Sequence, residues 1–241
     1  MNDVMSKFEE MIREHEGRKP FFDTASFPWA EEVEAMWPDI RREADCVLGA
    51  LDYLPGFEEL QFEQRDLSQD KRWKVFPLHV YGRIPRDSER RCPQTVRALR
   101  KIPGMLGAMF SVLQPGKELP PHRGAYAGVL RYHLGVKVPH PDQCGICVDG
   151  EEAQWLEGKS LVFDDSYMHH AWNRSGEDRV VLFVDFLRPL APKLNAMNQS
   201  LVSLLGKSQF MDQAAVHWTE WNAKYGHQLD AEIEKKRLQL S

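Results

Sequence analysis

The sequence predicts a mainly β protein with flanking helices, its core a double-stranded β-helix of the jelly-roll kind. From about residue 107, short β-like runs follow one another, broken by turn pairs such as Pro-Gly, Asp-Gly, Glu-Gly and Ser-Gly. Before that stretch, and again after Pro189, apolar residues recur at the three- and four-residue spacing of helices. With 241 residues, 42% of them hydrophobic, the chain can bury a sizeable core.

Taken in order, Val4, Phe8, Met11 and Ile12 fall on one helical face. A second stripe runs through Val33, Trp37, Ile40, Val47 and Leu51, and Pro38 should kink or split it. "RWKVFPLHVYG" at 72–82 reads as a strand whose Pro77 favours an edge or a bulge. "CPQTVRALRKIPG" at 92–104 reads as a short helix stopped by Pro103-Gly104. Then come "GAMFSVLQPG", "GVLRYHLGVKVP", "CGICVDG", "EAQWLEG", "SLVFDD", "HHAWNR" and "DRVVLFVDFLRP", a succession of strands that suggests the double-sheet, cupin-like architecture. Leu194, Met197, Leu201, Leu204 and Leu205 mark a further helix, and a polar segment with Trp218 and Trp221 follows. The expected organisation is one domain over 1–241, with helical support at 1–71, a jelly-roll core at 72–190 and C-terminal helices at 191–241.

The net charge of −5 and the lack of a long basic run argue against a nucleic-acid partner. The most basic stretch, "RIPRDSERR" at 83–91, mixes in acids and is expected to be a solvated loop. No segment approaches the ~20 apolar residues that span a bilayer, so no transmembrane segment is expected. Acidic residues interrupt the start of the chain, which does not read as a signal peptide. A cytoplasmic location follows as the default, with Cys46, Cys92, Cys144 and Cys147 reduced. "CGIC" has redox or metal spacing but no second such pair, and buried strand cysteines are the plainer reading.

The chemistry gathers around "PPHRGAY" at 120–126 and "DDSYMHHAWNR" at 164–174. A histidine two residues before a carboxylate, with a second histidine downstream, is the facial triad of non-haem iron oxygenases. Here Gly124 stands where the acid would be. Two histidines from facing strands of a jelly roll can still hold a metal, and neutral imidazole suits divalent iron. His122 is expected between a Pro-Pro turn and the strand beginning near Tyr126, and His169 between "SLVFDD" and the arginine-led strand at 179. Arg179 opens the apolar strand "RVVLFVDF" on the face of Val181 and Phe183, where a charge is costly unless paired. Its guanidinium fork suits a carboxylate, so an anionic cosubstrate is a plausible partner. Arg131 and His133 share a strand face with Val129, opposite Leu130, Tyr132 and Leu134, and line either a cavity or a solvated side.

Together, "FSVLQPGKELPPHRG", "LRYHLGVKVP", the W-x-x-G-K at 155–159, "FDDSYMHHAWN" and "RVVLFVDFLRP" resemble the aspartyl/asparaginyl β-hydroxylase family of Fe(II)/2-oxoglutarate dioxygenases, in matching order and spacing. That family includes bacterial lipid A acyl-chain hydroxylases. The resemblance implies iron held by His122 and His169, with glycine, here Gly124, in place of the acid. It implies 2-oxoglutarate held by Arg179 with Ser111, and Arg131 and His133 reaching the carboxylate of cosubstrate or substrate. His170 falls on the other side of an extended chain, as a supporting residue. Asp164 and Asp165 are expected to orient a ligand imidazole rather than replace the lost acid. The implied cofactors are Fe(II), 2-oxoglutarate as cosubstrate, and O2, with decarboxylation to succinate coupled to hydroxylation of an unactivated C–H.

The leading expectation is β-hydroxylation of an aspartyl- or asparaginyl-type amino acid or peptide. The serious alternative is a lipid A-type acyl-chain 2-hydroxylase, so the substrate partner is a small molecule, a peptide or a lipid. An iron/2-oxoglutarate halogenase, a non-catalytic cupin-like metal-binding protein and a zinc hydrolase are the further alternatives.

Overall fold

The computed structural model describes residues 2–80, 85–124, 126–205 and 209–240. Among them ten strands form two antiparallel sheets. The larger has the order β1 (Phe21–Phe22), β8 (Ser160–Phe163), β5 (Val129–Lys137), β10 (Arg179–Leu187), β3 (Met105–Leu113), β2 (Trp73–Val80). The smaller has the order β4 (Lys117–His122), β9 (His169–Asn173), β6 (Cys144–Val148), β7 (Glu151–Gln154). From β3 onward the chain passes back and forth between the sheets, and this alternation makes the jelly roll.

The large sheet is buried on both faces, so its strands read as nearly continuous apolar runs. Phe76, Phe110, Tyr132 and Leu182 point to the helical side. There Trp29 of α2 (Pro28–Glu34) lies 5.1 Å from Tyr132, and Trp218 of α8 (Gln209–Leu240) lies 5.7 Å from Phe76. The alternate residues, among them Ser111, Arg131, His133, Arg179 and Phe183, share the opposite face. That face looks onto the small sheet, as the 6.3 Å approach of Phe163 to His169 shows.

Pro38 splits the second helical stripe as expected. α2 ends at Glu34, and α3 (Trp37–Leu48) holds the proline in its first turn, where the missing N–H has no partner to lose. Pro77 lies on edge strand β2 beside a bulge, also as expected. Residues 81 and 82 of that expected strand lie outside the described residues. The helix expected at 92–104 is α6 (Pro93–Leu99), which ends before Pro103-Gly104.

Other expectations need correction. The stretch expected to be a solvated loop contains helix α5 (Arg86–Arg91), and its Arg91 is only 2% exposed. Arg91 donates to Asp230 (2.8 Å), Asn222 (2.8 Å) and the Gly226 carbonyl (3.2 Å) of α8, which is why a charge can sit there. On α1 (Asn2–Glu16), Phe8 and Ile12 pack with Tyr126, Leu194 and Val202, but Val4 and Met11 are exposed. That helix covers a loop and α7 (Pro192–Leu205), so it buries a narrower stripe than a helix on a sheet. Two short strands were unexpected, β1 within the stretch assigned to helical support and β4 across Pro120-Pro121. No helix among the described residues is long and apolar enough to cross a membrane.

Candidate active site

His122 closes β4 and His169 opens β9, and the two face each other in register with ring centroids 4.1 Å apart. His122 thus belongs to a strand rather than to a loop between a Pro-Pro turn and the next strand. Each Nδ1 lies against the backbone carbonyl two residues earlier, Pro120 O at 2.8 Å and Tyr167 O at 3.0 Å. A carbonyl only accepts, so each Nδ1 carries the proton and each Nε2 keeps its lone pair. Burial, then His122 and Arg131, pushes the His169 pKa down to about 3, and burial lowers that of His122. The pair is therefore neutral and preset in the tautomer that divalent-metal ligation requires. Among the described residues no third His, Cys, Asp or Glu completes a cluster with them.

The orienting role expected of the aspartates falls to those two carbonyls. Asp164 accepts from Arg188 (2.7 Å) and from Ser166, a buried structural knot. Asp165 pairs with Arg131 (2.7 Å), and burial pushes its carboxyl pKa up against the pull of that arginine. The Gly124 N–H donates to the Asp165 carbonyl (2.7 Å), and a Cβ on Gly124 would fall 2.0 Å from Asp165 Oδ2. The carboxylate of Asp165 fills the space that a side chain at 124 would need.

Deeper between the sheets lies Arg179, 2% exposed, its guanidinium stacked 4.4 Å over the ring of Trp155. Its Nε and Nη1 have no protein partner, and burial pushes its pKa down. His133 lies 5.8 Å from Trp155 and 5.0 Å from both Phe163 and Phe183, with both ring nitrogens unpaired. The Trp155 Nε1 is unpaired as well. Buried polar groups are nearly always satisfied, so this gathering of idle donors marks a receptor for an anion. It fits a carboxylate cosubstrate such as 2-oxoglutarate. The inner face of β5 is thus not a solvated side: His133 is buried there, and Arg131 meets a cavity.

Ser111, cross-strand to Val181 and Val75 and near this receptor, accepts from Trp73 Nε1 at 3.0 Å. Arg131 is bound differently from expectation. It bridges Asp165 and Asp185 (3.0 Å) and lies 4.2 Å over Phe183, so two carboxylates already share the guanidinium expected to reach a ligand. His170 is half-buried and packs against Trp172. Cys144 gives its Sγ–H to Asn173 and Cys147 lies on the other face of β6, so the cysteines act as strand residues.

A cavity of about 210 Å³ meets this site at His122, Gly124, Arg131 and Asp165. The rest of its wall is mostly apolar, from Phe57 and Leu60 of α4 (Phe57–Leu60), Trp73, Val75 and Pro77 of β2, Leu106 and Met109 of β3, and Val202 of α7. Trp155, Asp185 and Trp73 had no assigned role in the sequence reading. An alternating strand pattern flags Asp185 as an acid on the inner face, Trp155 opens the W-x-x-G-K motif, and Trp73 carries only the signal of a core residue.

This fold and site define a jelly-roll protein of the cupin-like kind with an internal, histidine-lined centre. The family model for aspartyl/asparaginyl β-hydroxylases matches residues 34–189, and the chain belongs to that family of hydroxylases. Over 216 residues, 89% of this chain and 77% of the relative, it is 44% identical to the ornithine lipid ester-linked acyl 2-hydroxylase of Rhizobium tropici. It is 31% identical to the human aspartyl/asparaginyl β-hydroxylase over 166 residues, 66% of this chain but 21% of that protein. Among solved structures, a Cupin_2 domain of an XRE family transcriptional regulator from Enterobacter cloacae superposes with a TM-score of 0.35 at 14% identity, covering 49% of this chain and 99% of that one. That likeness is loose, and the fold rests on the strand order above.

Proposed function

We propose that the protein is an Fe(II)- and 2-oxoglutarate-dependent hydroxylase acting at carbon 2 of a lipid acyl chain, of the ester-linked kind named for its Rhizobium relative. The observation that carries this reading is the largely apolar cavity that reaches His122. A hydrocarbon chain gains roughly 25 cal/mol for each Å² it buries along Trp73, Val75 and Pro77. An aspartyl or asparaginyl side chain has no such surface to bury. The leading expectation from sequence therefore becomes the second reading, kept by the family and by the human relative.

In this reading His122 and His169 hold the iron through their Nε2 atoms, with their Nδ1–H groups locked on Pro120 and Tyr167. Arg179, stacked on Trp155 and assisted by Ser111, takes the distal carboxylate of 2-oxoglutarate, and His133 supplies a further donor. The bound iron and cosubstrate supply the oxidising chemistry, while the chain's residues bind, orient and exclude water. Arg131 pairs with the buried Asp165 and the half-buried Asp185 at the junction between site and cavity.

Succinate formation tests the reading when the protein is given Fe(II), 2-oxoglutarate and, in separate arms, acyl-ester lipids, aspartyl or asparaginyl peptides, and free amino acids. Stimulation by the lipids is the expected result. Stimulation by the peptides alone hands the function to the second reading. Turnover that requires chloride and gives chlorinated product would establish a halogenase instead.

A further inference from the structure

The cavity wall contains an acceptor that the protein leaves unused. Along β2, Trp73, Val75, Pro77 and His79 all line the cavity, and the register with β3 slips between Pro77↔Met109 and His79↔Ala108. The four alternate along β2 as regular pleating sets them, and the slip falls beside His79, as bulges recur next to binding sites. His79 is 8% exposed, and its Nδ1 lies 3.1 Å from the Leu106 carbonyl. The carbonyl can only accept, so the proton is on Nδ1, and burial keeps the ring neutral. Nε2 is then a lone-pair acceptor, and no described residue donates to it.

A second unsatisfied group lies in the same wall. Tyr126 is 2% exposed, and its hydroxyl has no partner among the described residues. A cavity made only for hydrocarbon has no use for either group, since unpaired polar atoms penalise the bound state. A neutral imidazole acceptor takes a hydrogen bond from an uncharged N–H or O–H without the cost of burying a further charge in the wall. A neutral donor is the better match.

We propose that His79 is a specificity residue that accepts a hydrogen bond from a neutral donor, an amide N–H or a hydroxyl, carried by the acyl substrate. The inference rests on the acyl-lipid reading and sharpens it. The preferred substrate is an acyl chain with a polar linkage or hydroxyl within the cavity, not a bare hydrocarbon ester.

The test is equilibrium binding to the full chain with Fe(II) and 2-oxoglutarate under anaerobic conditions, so that no turnover intervenes. Tryptophan fluorescence reports it, because Trp73 lines the cavity. Two matched probe pairs are used. An N-dodecanoyl amide and its ester isostere differ by an N–H, and 3-hydroxydodecanoyl and dodecanoyl methyl esters differ by a hydroxyl. The wild type should favour the donor-bearing member of at least one pair by about three- to tenfold. His79→Phe should remove that preference while still binding the member without the donor. His79→Gln, whose side-chain oxygen reaches about as far as Nε2, should restore part of it.

A wild type that prefers neither member, or a preference that survives His79→Phe, overturns the role. If His79→Phe binds nothing, His79→Gln decides: preference retained supports the role, and preference lost with ordinary binding intact overturns it. If the wild type binds none of the four probes, the acyl-lipid reading itself fails and the role of His79 fails with it.

Discussion

Gly124 and Asp165 form a single complementary pair: the side chain the glycine lacks would occupy the space in which the aspartate carboxylate lies, with Cβ 2.0 Å from Oδ2. The absent triad acid is therefore matched by a filled site. Gly124→Ala should destabilise the fold by about 1–3 kcal/mol, because a buried, Arg131-bound carboxylate has nowhere to move. Gly124→Asp should do no better as a ligand and fold less well. In thermal unfolding, Gly124→Ala combined with Asp165→Ala should lose less than the two single changes summed. Simple additivity would show that the two positions do not compete for space.

Metal binding should separate adjacent histidines. Calorimetric titration with Fe(II) under argon should give one site in the wild type and in His170→Ala, but none of comparable affinity in His122→Ala or His169→Ala. His170 packs on Trp172, so its loss removes surface and no ligand. Equal loss from His169→Ala and His170→Ala would undo the ligand assignment.

Arg179 should trade stability for binding. With its Nε and Nη1 unpaired by any described residue, Arg179 carries much of the desolvation cost of a buried charge. Arg179→Leu should unfold at the same temperature as the wild type or higher, while KM for 2-oxoglutarate rises by about 100-fold or more. Arg179→Lys should also bind poorly, because a point charge cannot replace the fork. A variant that loses stability but keeps its KM would make Arg179 a structural residue.

The Arg91–Asp230 pair should make the docking of α8 acid-sensitive. Burial alone would raise the Asp230 pKa, but hydrogen bonds from Arg91 and Arg90 bring it below the usual value. A depressed carboxyl adds stability that is fully present above its unfolded pKa and is lost as pH falls through the folded one. Asp230→Asn should therefore cost only about 0.5–1 kcal/mol at pH 7, because solvent screens a partly exposed carboxylate, and less as the pH falls below about 4. Urea unfolding at both pH values measures this, and a cost independent of pH would rule out the ionic contribution.

Much of this was legible in the sequence, and the exceptions have physical causes. The strands of the large sheet announce themselves because both faces are buried, as in "RVVLFVDF". β4 did not, since Pro120 and Pro121 argue against a strand in general but are tolerated at the edge of the small sheet. Arg91 reads as a solvent-facing charge until α8, far along the chain, supplies its partners. Of the candidate site, His122 and His169 meet across β4 and β9, and Arg179 lies on the inner face of β10, residues that the resemblance singled out. The idle donors of Trp155 and the fit of Asp165 into Gly124 are contacts across the fold, and no local pattern carries them.

The most direct test of the central claim is the position of the new oxygen. The protein is incubated with Fe(II), 2-oxoglutarate, isotopically labelled O2 and an ester-linked acyl lipid, and the released fatty acid is analysed by tandem mass spectrometry. The account predicts one labelled hydroxyl at carbon 2, formed in step with succinate and lost in His169→Ala. Unmodified lipid, alongside labelled hydroxylation of an aspartyl or asparaginyl peptide by the same preparation, would contradict it.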